Sequence, residues 1–320
     1  MRAIIFNKKL EYITDYPKPS LEKGWAIVKV LKAGICNTDL EIIKGYMEFN
    51  GILGHEFVGI VEECTDSAWL GKRVTGEINF ACSKCEWCRQ ELGRHCPNRT
   101  TLGIFKTDGC MADYCKIPIG CLIEIPDEIS ARKAVFIEPL SAACKILEQL
   151  KSSITGREKV VILGDGKLGI LCSWVLTTAF KDVTLVGHHK NKLKLATWNE
   201  LKTTTDISSI SSADIVVEAT GTSGGFNTAI DICKPRGKII LKSTVADQIP
   251  VNMTKIVVDE ISVIGSRCGQ FKDGLAVLKN YPDIPLERLI SATFPAEKSL
   301  EAFKESTQKG ILKITIDFMI

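Results

Sequence analysis

Apolar positions in residues 1–120 come in short runs, such as Ala26–Leu31 and Phe57–Glu62, broken by Gly, Pro and Asp. Runs of that length between turn residues predict short strands and loops, a compact β region. The texture changes at Ala131–Leu150, where apolar residues recur at helical spacing and Pro139 interrupts them, predicting two helical pieces. From Lys159 onward, apolar runs alternate with helical stretches. Strands are predicted at Val160–Leu163, Val183–Val186, Asp214–Ala219, Lys238–Leu241 and Ile261–Ile264. Helices are predicted at Lys167–Phe180, near Asn191–Glu200 and at Phe226–Lys234. This alternation implies an α/β fold with a parallel, doubly wound sheet. The tail, Pro295–Ile320, predicts a helix and then a strand. No internal repeat, low-complexity segment or Pro/Ser linker interrupts the chain.

A length of 320 residues suggests about two domains. With 45% hydrophobic and 25% charged residues, a core of ordinary size is expected. A net charge of +3 is too mild to point to nucleic acid or a membrane surface. The first residues, MRAIIFNKKLEY, hold no apolar stretch of signal-peptide length, and no run approaches the roughly 20 apolar residues of a membrane helix. A cytoplasmic protein is expected. The 13 cysteines, an odd number, do not read as a disulfide framework.

Four of those cysteines are crowded as Cys82-x-x-Cys85-x-x-Cys88-x7-Cys96. Four thiolates at this spacing can close a tetrahedron around Zn²⁺ with no open position, as in a structural site. Unrelated free thiols and an iron–sulfur cluster are the alternatives; the spacing fits neither ferredoxin pattern well. Gly164-Asp165-Gly166-Lys167-Leu168-Gly169 follows a predicted strand and opens a predicted helix, the context in which GxGxxG receives a pyrophosphate. Cys36, His55, Glu56 and Glu138 are metal-binding residue types scattered along the chain. Singly, Cys36 reads as a core thiol, His55 as a core histidine and Glu138 as a helix-end acid; jointly a Cys, a His and one or two carboxylates could form a zinc site with a position left for water or substrate.

The segments GICNTDLEI, GHEFVG, CSKCEWCRQELGRHCPN, IEPLSAA, GDGKLG and VEATG occur in this order. Together they resemble the zinc-containing medium-chain dehydrogenases, the alcohol, sorbitol, threonine and glucose dehydrogenase group. The resemblance spans essentially the whole chain. It implies a GroES-like catalytic domain over residues 1–145 with a zinc lobe at 82–96, a Rossmann domain over 146–285, and a segment, 286–320, returning to the catalytic domain. It implies an active site in the cleft between the domains, two zinc ions per chain and a homodimer or homotetramer. Cys36 and His55 match catalytic zinc ligands, with Glu56 or Glu138 completing the set and Glu138 slightly favoured. Cys82, Cys85, Cys88 and Cys96 match the structural zinc site. Gly164, Gly166, Lys167, Leu168 and Gly169, with Thr220 of VEATG, match the cofactor-binding residues. Thr38 matches the hydroxyl that relays a proton from the substrate alcohol. Asp39 would hold a ligand imidazole or an arginine. Glu41 stands where several alcohol dehydrogenases have a histidine, which argues against a simple alcohol, and the Glu138 match favours polyol, sugar or amino-alcohol substrates.

The cofactor expected is NAD(P), with NADP favoured. The second strand of a dinucleotide-binding sheet ordinarily ends near an acid that bonds the ribose 2′-OH. Here it runs into Gly187, and His188, His189 and Lys190 follow. A zinc-free quinone reductase relative, a non-catalytic paralogue and a zinc ribbon on nucleic acid are the competing readings. The cysteine lobe, the joint presence of Cys36, His55 and Glu138, and the mild charge argue against each in turn.

Overall fold

A computed structural model describes residues 1–151, 154–244 and 250–319. Ile320, the last residue of the predicted tail, lies outside them. The chain divides into two compact units, Met1–Glu138 with Leu286–Ile320, and Pro139–Pro285.

The first unit is built on a mostly antiparallel sheet. Its order is Leu122–Glu124, Arg73–Gly76, Glu56–Cys64, Trp25–Gly34, Lys313–Asp317 and Ile290–Pro295, with Tyr114–Pro118 also paired to Trp25–Gly34. Burial alternates along Trp25–Gly34 and rises at its end, where Ala33 is fully enclosed. That end carries the register that matters for chemistry. Gly34 pairs with Glu56 on one side and with Thr315 on the other. The tail strand therefore lies beside the strand that leads into Cys36. The tail helix, Ser299–Ser306, buries Ala302 and Phe303 and is followed by Lys313–Asp317.

The second unit contains a six-stranded parallel sheet. In chain order its strands are Lys159–Leu163, Asp182–Val186, Lys202–Thr204, Ala213–Glu218, Cys233–Leu241 and Ser262–Gly265. Their order in space is 3-2-1-4-5-6, the doubly wound arrangement whose strand order reverses between strands 1 and 4. In the first strand the β-branched run Val160, Val161 and Ile162 is buried on both faces, as a parallel sheet covered by helices requires. Helix Lys167–Thr177 packs Ile170, Leu171, Trp174 and Val175 fully inside, and the Trp174 indole donates to the Ala196 carbonyl at 2.7 Å.

The Ala131–Leu150 stretch is two helices, Ala131–Ala134 and Ile137–Leu150. The break falls at Val135–Phe136, ahead of Pro139, which sits in the first turn of the second helix where its missing N–H costs nothing. The strand Lys202–Thr204 and the helix Phe271–Asn280 are elements the periodicity does not indicate. No described helix is long and apolar enough to cross a membrane.

Candidate functional site

The turn after Trp25–Gly34 places Cys36 at the N-cap of the helix Asn37–Ile43. Asp39, in the first turn and fully buried, organises this corner. Its carboxylate accepts from the Cys36 N–H at 2.8 Å and the Gly54 N–H at 3.2 Å. Its Oδ1 also lies 3.5 Å from His55 Nδ1, an electrostatic contact longer than a well-formed hydrogen bond. A carboxylate on Nδ1 fixes the imidazole and leaves Nε2 for a metal. Burial opposes a charge on His55, yet Asp39 and Cys36 outweigh it and push its pKa well above the ordinary value. A metal ion would take the place of that proton. The Cys36 thiol donates to the Thr38 hydroxyl at 3.7 Å.

Donor atoms of Cys36, His55 and Glu56 all lie within 4.8 Å of one another. Glu138, in the first turn of Ile137–Leu150, is not in that group. Glu56 is fully buried and ion-paired with Lys313, which is equally buried and also donates to the Ile35 carbonyl at 3.2 Å. Burial draws the Lys313 pKa down to about 8, against the opposing pull of Cys36 and Asp39. Gly34 makes room for the pair. A Cβ there would lie 2.5 Å from Glu56 Oε2 and 2.8 Å from the Lys313 Cε. Glu41 points elsewhere: its carboxylate accepts from Lys44 Nζ at 2.9 Å on the exposed side of the helix.

In the cysteine lobe, sulfur–sulfur separations are 3.4 Å for Cys85–Cys88, 3.6 Å for Cys85–Cys96 and Cys82–Cys96, and 4.0 Å for Cys82–Cys88. Sulfurs at about 2.3 Å from a common Zn²⁺ in a tetrahedron are about 3.8 Å apart. The four thiols thus fit that ion. They are far too distant for disulfides. The Lys84 backbone N–H holds Cys82 down to about 6, while desolvation pushes Cys88 up to about 11.

The glycine turn sits at the carboxyl ends of the first and fourth strands. Gly164 has φ +112°, a left-handed conformation suited to glycine, and its Cβ would strike the Ala219 carbonyl oxygen at 2.5 Å. A Cβ on Gly169 would lie 1.9 Å from the Gly164 oxygen. Gly166 has open space where its Cβ would be. Lys167 and Leu168 begin the 11-residue helix whose first N–H groups lack intrahelical partners. Thr220 is held by Glu218, whose Oε1 accepts from its hydroxyl at 2.6 Å and its N–H at 2.8 Å. His188 and Lys190 are exposed beyond the second strand. The His189 ring is turned onto Asp165, with Nδ1 3.0 Å from Oδ2.

Two residues escape the sequence reading. Lys313 looks like one polar position in the alternating stretch ILKITIDF, and only its place beside Gly34 shows that it faces inward. Asp165 reads as a variable position of the glycine motif. The sequence offers no sign of either partnership.

Residues 22–127 match the family described as Alcohol dehydrogenase GroES-like domain, and residues 131–318 the family described as Glucose dehydrogenase C-terminus. A sorbitol dehydrogenase of Halalkalibacterium halodurans is 29% identical, over 95% of this chain and 96% of its own. A D-arabitol-phosphate dehydrogenase of Enterococcus avium is 26% identical, over 95% and 92%. The crystal structure of an alcohol dehydrogenase (rspB) of Escherichia coli CFT073, complexed with NADH, superposes with a TM-score of 0.88 at 25% identity, covering 99% of both chains. The two matched families together run from residue 22 to residue 318, so the chain belongs to the zinc-containing medium-chain dehydrogenases, joining a GroES-like domain to a Rossmann-type parallel-sheet domain.

Proposed function

We propose that this oxidoreductase moves a hydride between NAD(P) and a hydroxyl-bearing small molecule of the polyol, sugar or amino-alcohol class, at a zinc site made by Cys36, His55 and Glu56. The observation that carries this reading is the convergence of half-buried Cys36 with buried His55 and Glu56, their donor atoms within 4.8 Å of one another, with Asp39 behind the imidazole. Thiolate, imidazole and carboxylate form the mixed donor set of a catalytic rather than a structural zinc site. Zinc bound there would supply Lewis-acid polarisation of the substrate oxygen, and a nicotinamide held by the second unit would supply the hydride acceptor or donor. The chain's own groups do the rest. Thr38, beside Cys36, takes the proton from the substrate hydroxyl and passes it toward water. Lys313 neutralises Glu56 and fixes its orientation. The Gly164–Gly169 turn and the helix it opens receive the pyrophosphate on backbone N–H groups. Glu56 is preferred to Glu138 as the acid ligand because it shares the cluster with Cys36 and His55.

The substrate class is supported by the sorbitol and arabitol-phosphate dehydrogenases among the relatives, and the nicotinamide by the NADH held in the E. coli structure. Cys82, Cys85, Cys88 and Cys96 would hold a second, structural zinc. The functional division is residues 1–145 catalytic, 146–285 dinucleotide-binding and 286–320 catalytic again, a scheme that accords with the separate compactness of the two units. Assembly into a homodimer or homotetramer accords with the sheet edge Ser262–Gly265, where Val263 is 39% exposed, and with Val257 and Val258 at 70% and 73%. A cytoplasmic location accords with the absence of any disulfide among the 13 cysteines.

The test is a screen of NAD⁺ and NADP⁺ reduction by zinc-loaded protein against polyols, sugars and amino-alcohols. Reduction with members of that panel, lost on zinc removal, is the expected result. Zinc-loaded protein that reduces neither cofactor with any hydroxyl compound contradicts the proposal.

A further inference from the structure

Gly187 has no room for a side chain. A Cβ built on it would lie 2.4 Å from the Asp165 Cβ and 2.5 Å from Asp165 Oδ2. Gly187 directly follows the second strand, Asp182–Val186. The end of that strand is where a dinucleotide-binding sheet ordinarily presents the acid that recognises the ribose 2′-hydroxyl. The strand end here has no side chain of its own, yet it does have a carboxylate. Asp165 reaches the same volume from inside the glycine turn, 22 residues earlier.

Asp165 is firmly held there. Its Oδ2 accepts from the His189 N–H at 2.7 Å, and the His189 ring lies against both oxygens at 3.0 and 3.1 Å. Its side chain is 8% exposed. Burial opposes its ionisation, but the His189 N–H and ring outweigh burial and hold the carboxyl below its usual value. The group is therefore a fixed anion at neutral pH. A carboxylate offers about four acceptor positions, so the His189 contacts leave capacity for a hydroxyl donor. They leave no welcome for a second anion. His189, one of the residues that a sequence reading offers to a 2′-phosphate, already faces Asp165. Lys190 lies exposed at the start of the next helix, and Lys192 is half-buried two residues later, where water and salt screen them more than Asp165 is screened.

We propose that Asp165 is the cofactor-selecting residue of this chain, supplying from the glycine turn the carboxylate that the second strand lacks, so that the protein prefers NAD(H) to NADP(H). The proposal rests on the dinucleotide-binding role assigned to the turn above. It reverses the preference that Gly187 alone suggests. A glycine at that position marks an acid that has been relocated, not one that is missing.

The test needs no substrate. Dissociation constants for NADH and NADPH are measured by calorimetry on the purified protein and on Asp165→Asn, which keeps an acceptor for the His189 N–H and removes the charge. Wild type is expected to bind NADH at least tenfold more tightly, and Asp165→Asn to narrow that ratio at least fivefold by gaining affinity for NADPH. Asp165→Ser serves the same comparison if the asparagine variant does not fold. Wild-type protein that binds NADPH as tightly as NADH overturns the proposal by itself. So does a folded charge-removed variant with an unchanged ratio; in both cases the dinucleotide role of the turn stands. Wild type that binds neither cofactor overturns that role, and this proposal with it.

Discussion

Lys313 Nζ is ion-paired with the Glu56 carboxylate in a setting where neither side chain reaches solvent. The contact joins the tail strand to the strand that begins at Glu56, across a gap left by the missing side chain of Gly34. Each charge is acceptable at this depth because the other is present. Removing one partner of a buried pair costs about 3–5 kcal/mol, since the survivor keeps its desolvation penalty.

Lys313→Met is therefore expected to lose about that much stability in urea unfolding, and Lys313→Met with Glu56→Gln to recover part of the loss. A single variant as stable as wild type would show that the pair is dispensable. Gly34→Ala should disturb the same contact from between the strands, lowering both stability and zinc retention.

The second and third glycines of the phosphate turn separate binding from folding. A Cβ on Gly169 meets the Gly164 backbone oxygen at 1.9 Å, so Gly169→Ala requires backbone movement and should lower both thermal stability and dinucleotide affinity. A Cβ on Gly166 meets nothing within 4 Å. Gly166→Ala should leave the melting temperature within about a degree of wild type while weakening NADH binding at least tenfold, or about 1.4 kcal/mol. Equal NADH affinity in Gly166→Ala and wild type would mean that the pyrophosphate does not approach this turn.

The two metal centres are expected to fail differently. Cys36→Ser should abolish alcohol oxidation with little change in melting temperature. Cys88→Ser should lower the melting temperature and weaken folding, because a closed site of four thiolates contributes its binding energy to the fold. Matching losses of activity and stability in the two variants would refute this division of roles.

Asp165 also gives a pH signature. Its folded-state pKa is depressed relative to the unfolded chain, by the His189 contacts against the opposing effect of burial. The stabilisation it contributes is therefore complete above the unfolded value of about 3.9 and is lost as pH falls through the folded value. The stability difference between wild type and Asp165→Asn should be largest near pH 6–7 and shrink toward pH 3. A difference independent of pH would show that the charge is not what His189 recognises.

What the sequence makes legible follows from how local each feature is. The cysteine lobe is contained within 15 residues, and its spacing alone implies the tetrahedron that the sulfurs form. The strand–helix alternation after Lys159 is periodic, so most of the parallel sheet can be read from it. Lys202–Thr204 is a largely exposed three-residue edge strand with no apolar pattern to betray it, and Gly274 interrupts the helical signal of Phe271–Asn280. Contacts closed by the fold leave no local trace. In one dimension both Glu56 and Glu138 are plausible acids, with Glu138 slightly favoured. Register pairing of Glu56 with Gly34, and the return of Lys313 beside it, are what gather Glu56 and not Glu138 with Cys36 and His55. Gly187 looks like an absent acid until Asp165 is seen in its place.

Zinc K-edge X-ray absorption on the purified protein, with metal content measured on the same sample, tests the zinc dehydrogenase reading most directly. Two zinc ions per chain, one bound by four sulfurs and one by a single sulfur with nitrogen and oxygen, should average about 2.5 sulfurs per zinc at about 2.3 Å, the remaining ligands lying at about 2.0–2.2 Å. One zinc per chain surrounded by four sulfurs alone would leave Cys36, His55 and Glu56 without a metal and contradict the account.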